Sequence, residues 1–199
     1  LLGSTVCLIR RTVRGRSLDP LIQVLFEGID PAVELFYRVG DGTDLPAGQV
    51  GEVLVGAPHA MLGYWNRPDA TRETIQHGWL YTGDLGYVDA EGFLYVIDRK
   101  KDMLVSGGEN VYPAEIERVI TELPEVAEVS VIGIPDEKWG EVPKAFIVTV
   151  RDRELTTEAV IAFCRSKLAG YKVPKQIAFI DQLPRTPSGK VLKRKLRTS

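Results

Sequence analysis

An aspartate after Tyr81-Thr82-Gly83, an arginine fifteen positions later, and a lysine closing Pro184-Arg185-Thr186-Pro187-Ser188-Gly189-Lys190 are the side chains best suited to chemistry in this sequence. Asp84 follows a glycine that breaks a strand-like segment, where a carboxylate can accept two hydrogen bonds from the vicinal hydroxyls of a ribose. Taken alone, Thr-Gly-Asp is also an ordinary turn. Arg99 carries a permanent, forked charge that could reach the same ribose or a phosphate, or could instead pair with Asp98 or Asp102. Lys190 places a flexible ammonium on a Pro/Ser/Gly loop, suited to neutralising charge that develops between a carboxylate and a phosphate; on residue counts alone it is one more exposed base. Gly107 and Gly108 let a ligand or another backbone pass closely, or simply turn a hairpin. They lack the strand-to-helix placement of a dinucleotide fingerprint and the Lys-Ser/Thr of a Walker loop, so they are not a phosphate cradle.

The elements that must position these residues belong to a chain of 199 residues, 44% hydrophobic and 26% charged, long enough for one large or two small domains with a buried core. The formal net charge of -2 hides an uneven distribution. Arg10, Arg11, Arg14 and Arg16 crowd one end, while Arg185, Lys190, Lys193, Arg194, Lys195 and Arg197 crowd the other, with no acid in either group. Such runs are most often solvated faces, although they could meet nucleic acid or an anionic membrane. Cys7 and Cys164 form no disulfide framework and no metal-binding spacing, which suits reduced thiols and a cytoplasmic setting. The longest apolar runs, such as 129–134, fall far short of the roughly 18 residues a membrane span needs, and no signal-like apolar core is present.

Residues 1–32 show no sustained period, with strand-like segments at 6–9 and 21–26 between arginines. From Glu34 the pattern predicts a small antiparallel β unit: strands over 34–39 and 52–55, a tight turn at Asp41-Gly42 and a breaker at Pro46-Ala47-Gly48. A short helical turn over 69–76 follows Pro68, then brief strands over 79–81, 85–88 and 93–97, the last two joined through Asp89-Ala90-Glu91-Gly92. Five consecutive charges, Asp98-Arg99-Lys100-Lys101-Asp102, mark a domain boundary, giving domains over 1–98 and 99–199.

Beyond the boundary, Met103 to Val105 and Val111 flank Ser106-Gly107-Gly108-Glu109-Asn110 as a short hairpin, and Pro113 opens a helix. Its core face is Ile116, Val119, Ile120 and Leu123. Strands over 126–134 and 145–150 are separated by a polar loop over 135–144. A second helix runs over 157–168, capped by Thr156 or Thr157 and ended by Gly170; a strand over 177–180 and a basic helix over 191–196 complete the chain. The order α, β, β, α, β implies a small α+β layer.

Together these segments resemble the C-terminal part of the adenylate-forming superfamily, and most closely acyl-CoA synthetases. The resemblance runs from about Asp41 to Arg197. It is carried in order by Leu45-Pro46-Ala47-Gly48-Gln49-Val50-Gly51-Glu52, Gly63-Tyr64-Trp65-Asn66, Tyr81-Thr82-Gly83-Asp84, Asp98-Arg99-Lys100-Lys101-Asp102, Ser106-Gly107-Gly108-Glu109-Asn110 and Pro113-Ala114-Glu115-Ile116-Glu117. It implies an α+β chain: a small β-barrel-like antiparallel subdomain ending a large AMP-binding domain, then a compact, mobile C-terminal domain of the acyl-adenylate-forming fold. The catalytic N-terminal subdomains that the family normally carries are missing from the sequence, and residues 1–32 do not match the family's lead-in.

The reaction implied joins a carboxylic acid, a fatty acid in this reading, to ATP as an acyl-adenylate with release of pyrophosphate. CoA then displaces AMP as the thioester forms. The resemblance assigns Asp84 and Arg99 to the ribose, Lys190 to catalysis between the acid and the α-phosphate, Lys101 to a hinge, Gly108 to the thiol channel and Trp139 to CoA. An aromatic anchor in its loop is the equal alternative for Trp139. No metal ligand is expected here; Mg2+ would be held by the missing N-terminal part. Without that part the chain is expected to have no ligase turnover. The competing functions are an adenylation module that loads a carrier protein, and a non-catalytic module whose basic tail binds nucleic acid. The tail has no interleaved aromatic residues, so no nucleic-acid partner is expected.

Overall fold

The structure, a computed structural model, describes residues 34–37, 45–56 and 61–197. The strand-like segments at 6–9 and 21–26, the Asp41-Gly42 turn and Cys7 lie outside the described residues. The chain divides into two compact units, Leu1–Lys100 and Lys101–Ser199, and the division falls inside the charged link.

The first unit is built on one antiparallel sheet. Strands β1 (Glu34–Tyr37), β2 (Gly51–Gly56), β3 (Ile75–Gln76), β4 (Trp79–Val88) and β5 (Leu94–Arg99) are accompanied by helix α1 (Pro68–Thr74). Their order is β1-β2-β4-β3, with β5 also on β4. Among the described residues no pairing joins β1 to β3 or β5, so the sheet stays open instead of closing into a barrel. Residues 79–88 form one ten-residue strand where the sequence suggested two. Gly83 does not break it, because β2 pairs along β4 from Gly51↔Gly86 to Val55↔Leu80 and supplies partners on both sides of the glycine. Asp89 closes the β4–β5 hairpin: its carboxylate accepts from Phe93 N at 2.8 Å and its carbonyl from Gly92 N at 3.2 Å.

The second unit holds β6 (Leu104–Ser106), β7 (Glu109–Val111), α2 (Pro113–Thr121), β8 (Val126–Asp136), β9 (Gly140–Thr149), α3 (Thr157–Lys167), β10 (Gln176–Phe179) and α4 (Lys193–Leu196). β9 is central, antiparallel to β8 over its length and parallel to β10. The polar segment 135–144 is therefore mostly strand: Pro135↔Glu141 and Ile132↔Lys144 are register partners, leaving only Glu137-Lys138-Trp139 as the turn. Periodicity could not show this, because the partners that hold a polar strand come from elsewhere in the chain.

Successive residues of β8 enter opposite cores, as the two-residue period of a strand requires. Val131 joins Ile116, Val119, Ile120, Ala145, Ile147, Val160 and Cys164 under the two long helices. Ile132 joins Phe146, Leu183 and Leu196 beneath the chain's last segment. This two-sided burial explains why residues 129–134 read as an almost unbroken apolar run. Pro113 starts α2 as expected, and Thr156 caps α3 through its Oγ1, which accepts from Ala159 N at 3.2 Å.

Candidate active site

Asp84 and Arg99 are cross-strand partners on β4 and β5, and Arg99 Nε stands 3.1 Å from Asp84 Oδ1. Pairing of the strands thus brings together two residues fifteen positions apart. Of the alternatives open for Arg99, Asp98 instead accepts from its backbone N–H at 2.7 Å, and Asp102 lies 3.6 Å from Arg197. The side chains of Arg99 and Asp84 are 57% and 33% exposed, so a ligand can reach both. Arg99 uses Nε on the carboxylate and keeps terminal N–H groups for a phosphate or hydroxyl oxygen, while Asp84 keeps its second oxygen to accept from a hydroxyl.

The backbone around the pair is tied to β2. Thr82 Oγ1 donates to Val53 O at 2.7 Å and accepts from Asp84 N at 3.0 Å. Glu52, 7% exposed, accepts from Gly83 N at 3.2 Å and from Lys100 Nζ at 2.8 Å. Sequence reasoning passed over Glu52 and Lys100 as site residues. The signal available was a lone acid at a strand position flanked by Val53, Leu54 and Val55, where alternation alone would place a hydrophobe or leave the charge in solvent.

In the second unit Gly107 and Gly108 make the turn between β6 and β7, at φ +60° and +87°. They differ in surroundings. A Cβ on Gly107 would meet the Trp139 ring at 2.6 Å, whereas one on Gly108 would meet nothing within 4 Å. Trp139 lies across Gly107, accepts from its N–H at 2.8 Å through the carbonyl, and remains 40% exposed. Asp136 orders this turn by accepting from the Lys138 and Trp139 amides at 2.9 Å each. The structure thus brings a partly exposed Trp139 ring to the glycine pair, with Lys138 Nζ 5.0 Å from its centroid.

Lys190 sits on a loop that is internally bonded. Thr186 N donates to Lys190 O at 2.8 Å, Lys190 N to Thr186 Oγ1 at 3.1 Å, and Leu192 N to Pro184 O at 2.7 Å. Arg185 donates to Gly189 O at 2.6 Å and pairs with Glu128 at 2.9 Å. The Lys190 ammonium is exposed and has no hydrogen-bond or ion-pair partner among the described residues. Lys101, first residue of its unit, is likewise exposed and unpaired among them.

The basic tail is partly used within the fold: Lys193 pairs with Glu117 at 2.8 Å, Arg185 with Glu128 and Arg197 with Asp102. That leaves a weaker basic face for nucleic acid than the composition suggested. Among the described residues no group of three or more His, Cys, Asp or Glu side chains could hold a metal ion. No helix among them is long and apolar enough to cross a membrane.

The first unit thus carries an exposed acid–arginine pair across β4 and β5, and the second a glycine hairpin and a loop lysine. Residues 115–190 match the family described as the AMP-binding enzyme C-terminal domain. The chain is 56% identical over 157 residues to the 2-succinylbenzoate–CoA ligase of Bacillus cereus (strain Q1), a match covering 79% of this chain and 32% of that protein. Among solved structures it is similar to o-succinylbenzoate CoA synthetase (MenE) of Bacillus subtilis in complex with the acyl-adenylate intermediate OSB-AMP, at 40% identity and a TM-score of 0.79 over 92% of this chain and 38% of that one. It is also similar to a Mycobacterium tuberculosis fatty acyl CoA synthetase, at 47% identity and a TM-score of 0.58 over 84% of this chain and 33% of that one.

Residues 115–190 of the second unit thus match an AMP-binding enzyme C-terminal domain, and the chain's homologues are 2-succinylbenzoate–CoA ligases and other adenylate-forming enzymes. It spans about a third of the length of the curated relatives it matches. The expectation of a fatty acid is not supported by those relatives, which are named for 2-succinylbenzoate.

Proposed function

We propose that this chain supplies the ribose-binding pair, the thiol-channel glycine and the adenylating lysine of an ATP-dependent acid–thiol ligase, with 2-succinylbenzoate or a close aromatic keto acid as its substrate. The observation that carries this reading is the exposed Asp84–Arg99 pair, two opposite charges joined across a sheet and still open to a ligand. The acid is chosen from the curated relatives; a fatty acid is the runner-up, kept by the likeness to the fatty acyl CoA synthetase.

In the first half-reaction a carboxylate oxygen attacks the α-phosphorus of ATP and the bond to pyrophosphate breaks. Asp84 accepts from the ribose hydroxyls, Arg99 donates to ribose or phosphate oxygens, and Lys190 neutralises the charge shared by the acid and the α-phosphate. In the second, the CoA sulfur attacks the acyl carbonyl and AMP leaves with the electron pair of the broken C–O bond. Gly108 offers open space for the thiol arm, and Trp139 a flat apolar face for the rest of CoA. Residues 1–98 end the larger AMP-binding domain in this reading, and 99–199 form the mobile C-terminal one, turning at Lys101.

The direct test joins the chain to the preceding two thirds of the Bacillus cereus ligase and measures pyrophosphate release and thioester formation with 2-succinylbenzoate and with a fatty acid panel. The joined protein is expected to turn over 2-succinylbenzoate, and the chain by itself to release no pyrophosphate; turnover of fatty acids only would replace the proposed acid. Lys101→Pro should slow the complete cycle more than it lowers the unfolding midpoint. Unchanged rates in both half-reactions would remove the hinge.

A further inference from the structure

The proposed ribose pair is itself held by a buried acid. We infer that Glu52 is a positioning residue for Asp84 and Arg99, acting on each through the residue beside it; the inference rests on the reading of Asp84 as the ribose ligand. One carboxylate oxygen of Glu52 accepts from Gly83 N at 3.2 Å, next to Asp84, and the other accepts from Lys100 Nζ at 2.8 Å, next to Arg99. Lys100 N donates to Gly83 O at 2.8 Å and closes the ring between the strands.

The place of this ring explains its need. The β4–β5 ladder is regular from Val88↔Leu94 to Gly86↔Val96, then shifts register between Leu85 and Gly86 before reaching Asp84↔Arg99. A bulge of this kind interrupts the ladder and adds local twist, so the end carrying the charged pair is not aligned by regular pairing alone. Glu52 reaches that end from β2 and ties both strands to a third. A carboxylate 7% exposed is costly to bury unless both oxygens are bonded, and here both are. Lys100, with 58% of its side chain exposed, keeps one face of the ring in solvent.

A fold-holding role and a positioning role separate in nucleotide selectivity. In the joined ligase, kcat/KM is measured with ATP and with 2′-deoxy-ATP, which lacks one of the hydroxyls that face Asp84. The parent is expected to prefer ATP by roughly tenfold, the worth of one charge-assisted hydrogen bond. Glu52→Gln, which keeps an acceptor for Gly83 but loses the charge for Lys100, should reduce that preference to about twofold to threefold, mainly by weakening ATP. Lys100→Met should do the same from the solvent side, and decides the matter if the Glu52 variant does not fold. Lys100→Arg should restore most of the preference.

Equal losses with both nucleotides, or a parental preference in Glu52→Gln and Lys100→Met, would overturn the positioning role. Asp84→Asn separates this from failure of the ribose reading. If it leaves the preference for ATP unchanged, Asp84 does not bind the hydroxyl and the inference falls with that reading. If it abolishes the preference while the Glu52 and Lys100 variants keep it, only the inference falls.

Discussion

The two charged regions of the proposed site are built in opposite ways. In the first unit Asp84 and Arg99 pair with each other through Oδ1 and Nε, and their neighbours Gly83 and Lys100 are closed into a ring with Glu52. In the second, the loop of Lys190 is bonded internally while the ammonium itself is left without a partner among the described residues. A paired site suits a group that must recognise a neutral sugar and stay ordered when empty. An unpaired cation on an internally bonded loop suits charge that exists only while a reaction proceeds, since no internal partner must be given up to meet it.

The sharpest way to break that contrast is at Lys190. In the joined ligase, Lys190→Ala should lower acyl-adenylate formation by roughly 100-fold to 1,000-fold. Thioester formation from supplied acyl-adenylate should change by less than about twofold. Equal losses in both halves would mean that Lys190 orders the loop or both reactions, and the contrast would go.

Asp84→Asn should act more gently, raising the ATP KM by roughly tenfold because one charge-assisted hydrogen bond becomes a neutral one. Its unfolding free energy, read from urea titration of the chain, should fall by no more than about 1 kcal/mol, as for an exposed ion pair. A larger loss would make the pair structural.

Within the second unit, Gly107 and Gly108 sharpen the comparison between a residue that holds the site and one that lines it. Gly107→Ala should destabilise by about 2–3 kcal/mol, combining an unfavourable backbone conformation with displacement of the Trp139 ring. Gly108→Ala should cost about 1 kcal/mol from its backbone alone, yet slow the thioester half-reaction more than the adenylation one. Urea titration together with the two partial assays checks both.

The smallest effect is one of pH. Burial pushes the Cys164 thiol from 9.0 up to about 11, because a thiolate would lose its hydration among Ile120, Val160 and the other core residues. Between those values the folded chain keeps the proton and the unfolded chain releases it. The stability this contributes is complete below pH 9 and is lost as pH rises toward 11. Urea titrations from pH 8 to 11 should show that fall in the chain and a flatter profile in Cys164→Ala.

Much of the second unit was legible from periodicity and end signals. Pro113 and the spacing of Ile116, Val119 and Ile120 describe α2, and Thr156 marks the start of α3. Pattern and structure differ where a partner strand decides the outcome. Gly83, a strand breaker by type, is carried through by β2, and the polar residues 140–144 are held in a strand by β8. Asp84, Arg99 and Lys190 could be singled out by type and motif, whereas Glu52 could not, because its importance lies in what it touches 31 and 48 positions away.

Sequence alone determined the local matters: where helices begin, which faces are apolar, and which side chains have the chemistry of a nucleotide site, since these depend on neighbours a few positions apart. Tertiary structure decided which charges meet. It joined Arg99 to Asp84 in preference to nearer acids, bonded a buried glutamate to the residues beside them, and left the Lys190 ammonium without a partner among the described residues. Strand pairing sets distances between remote residues through backbone hydrogen bonds that nearly every residue type can make, so no residue announces its own partner.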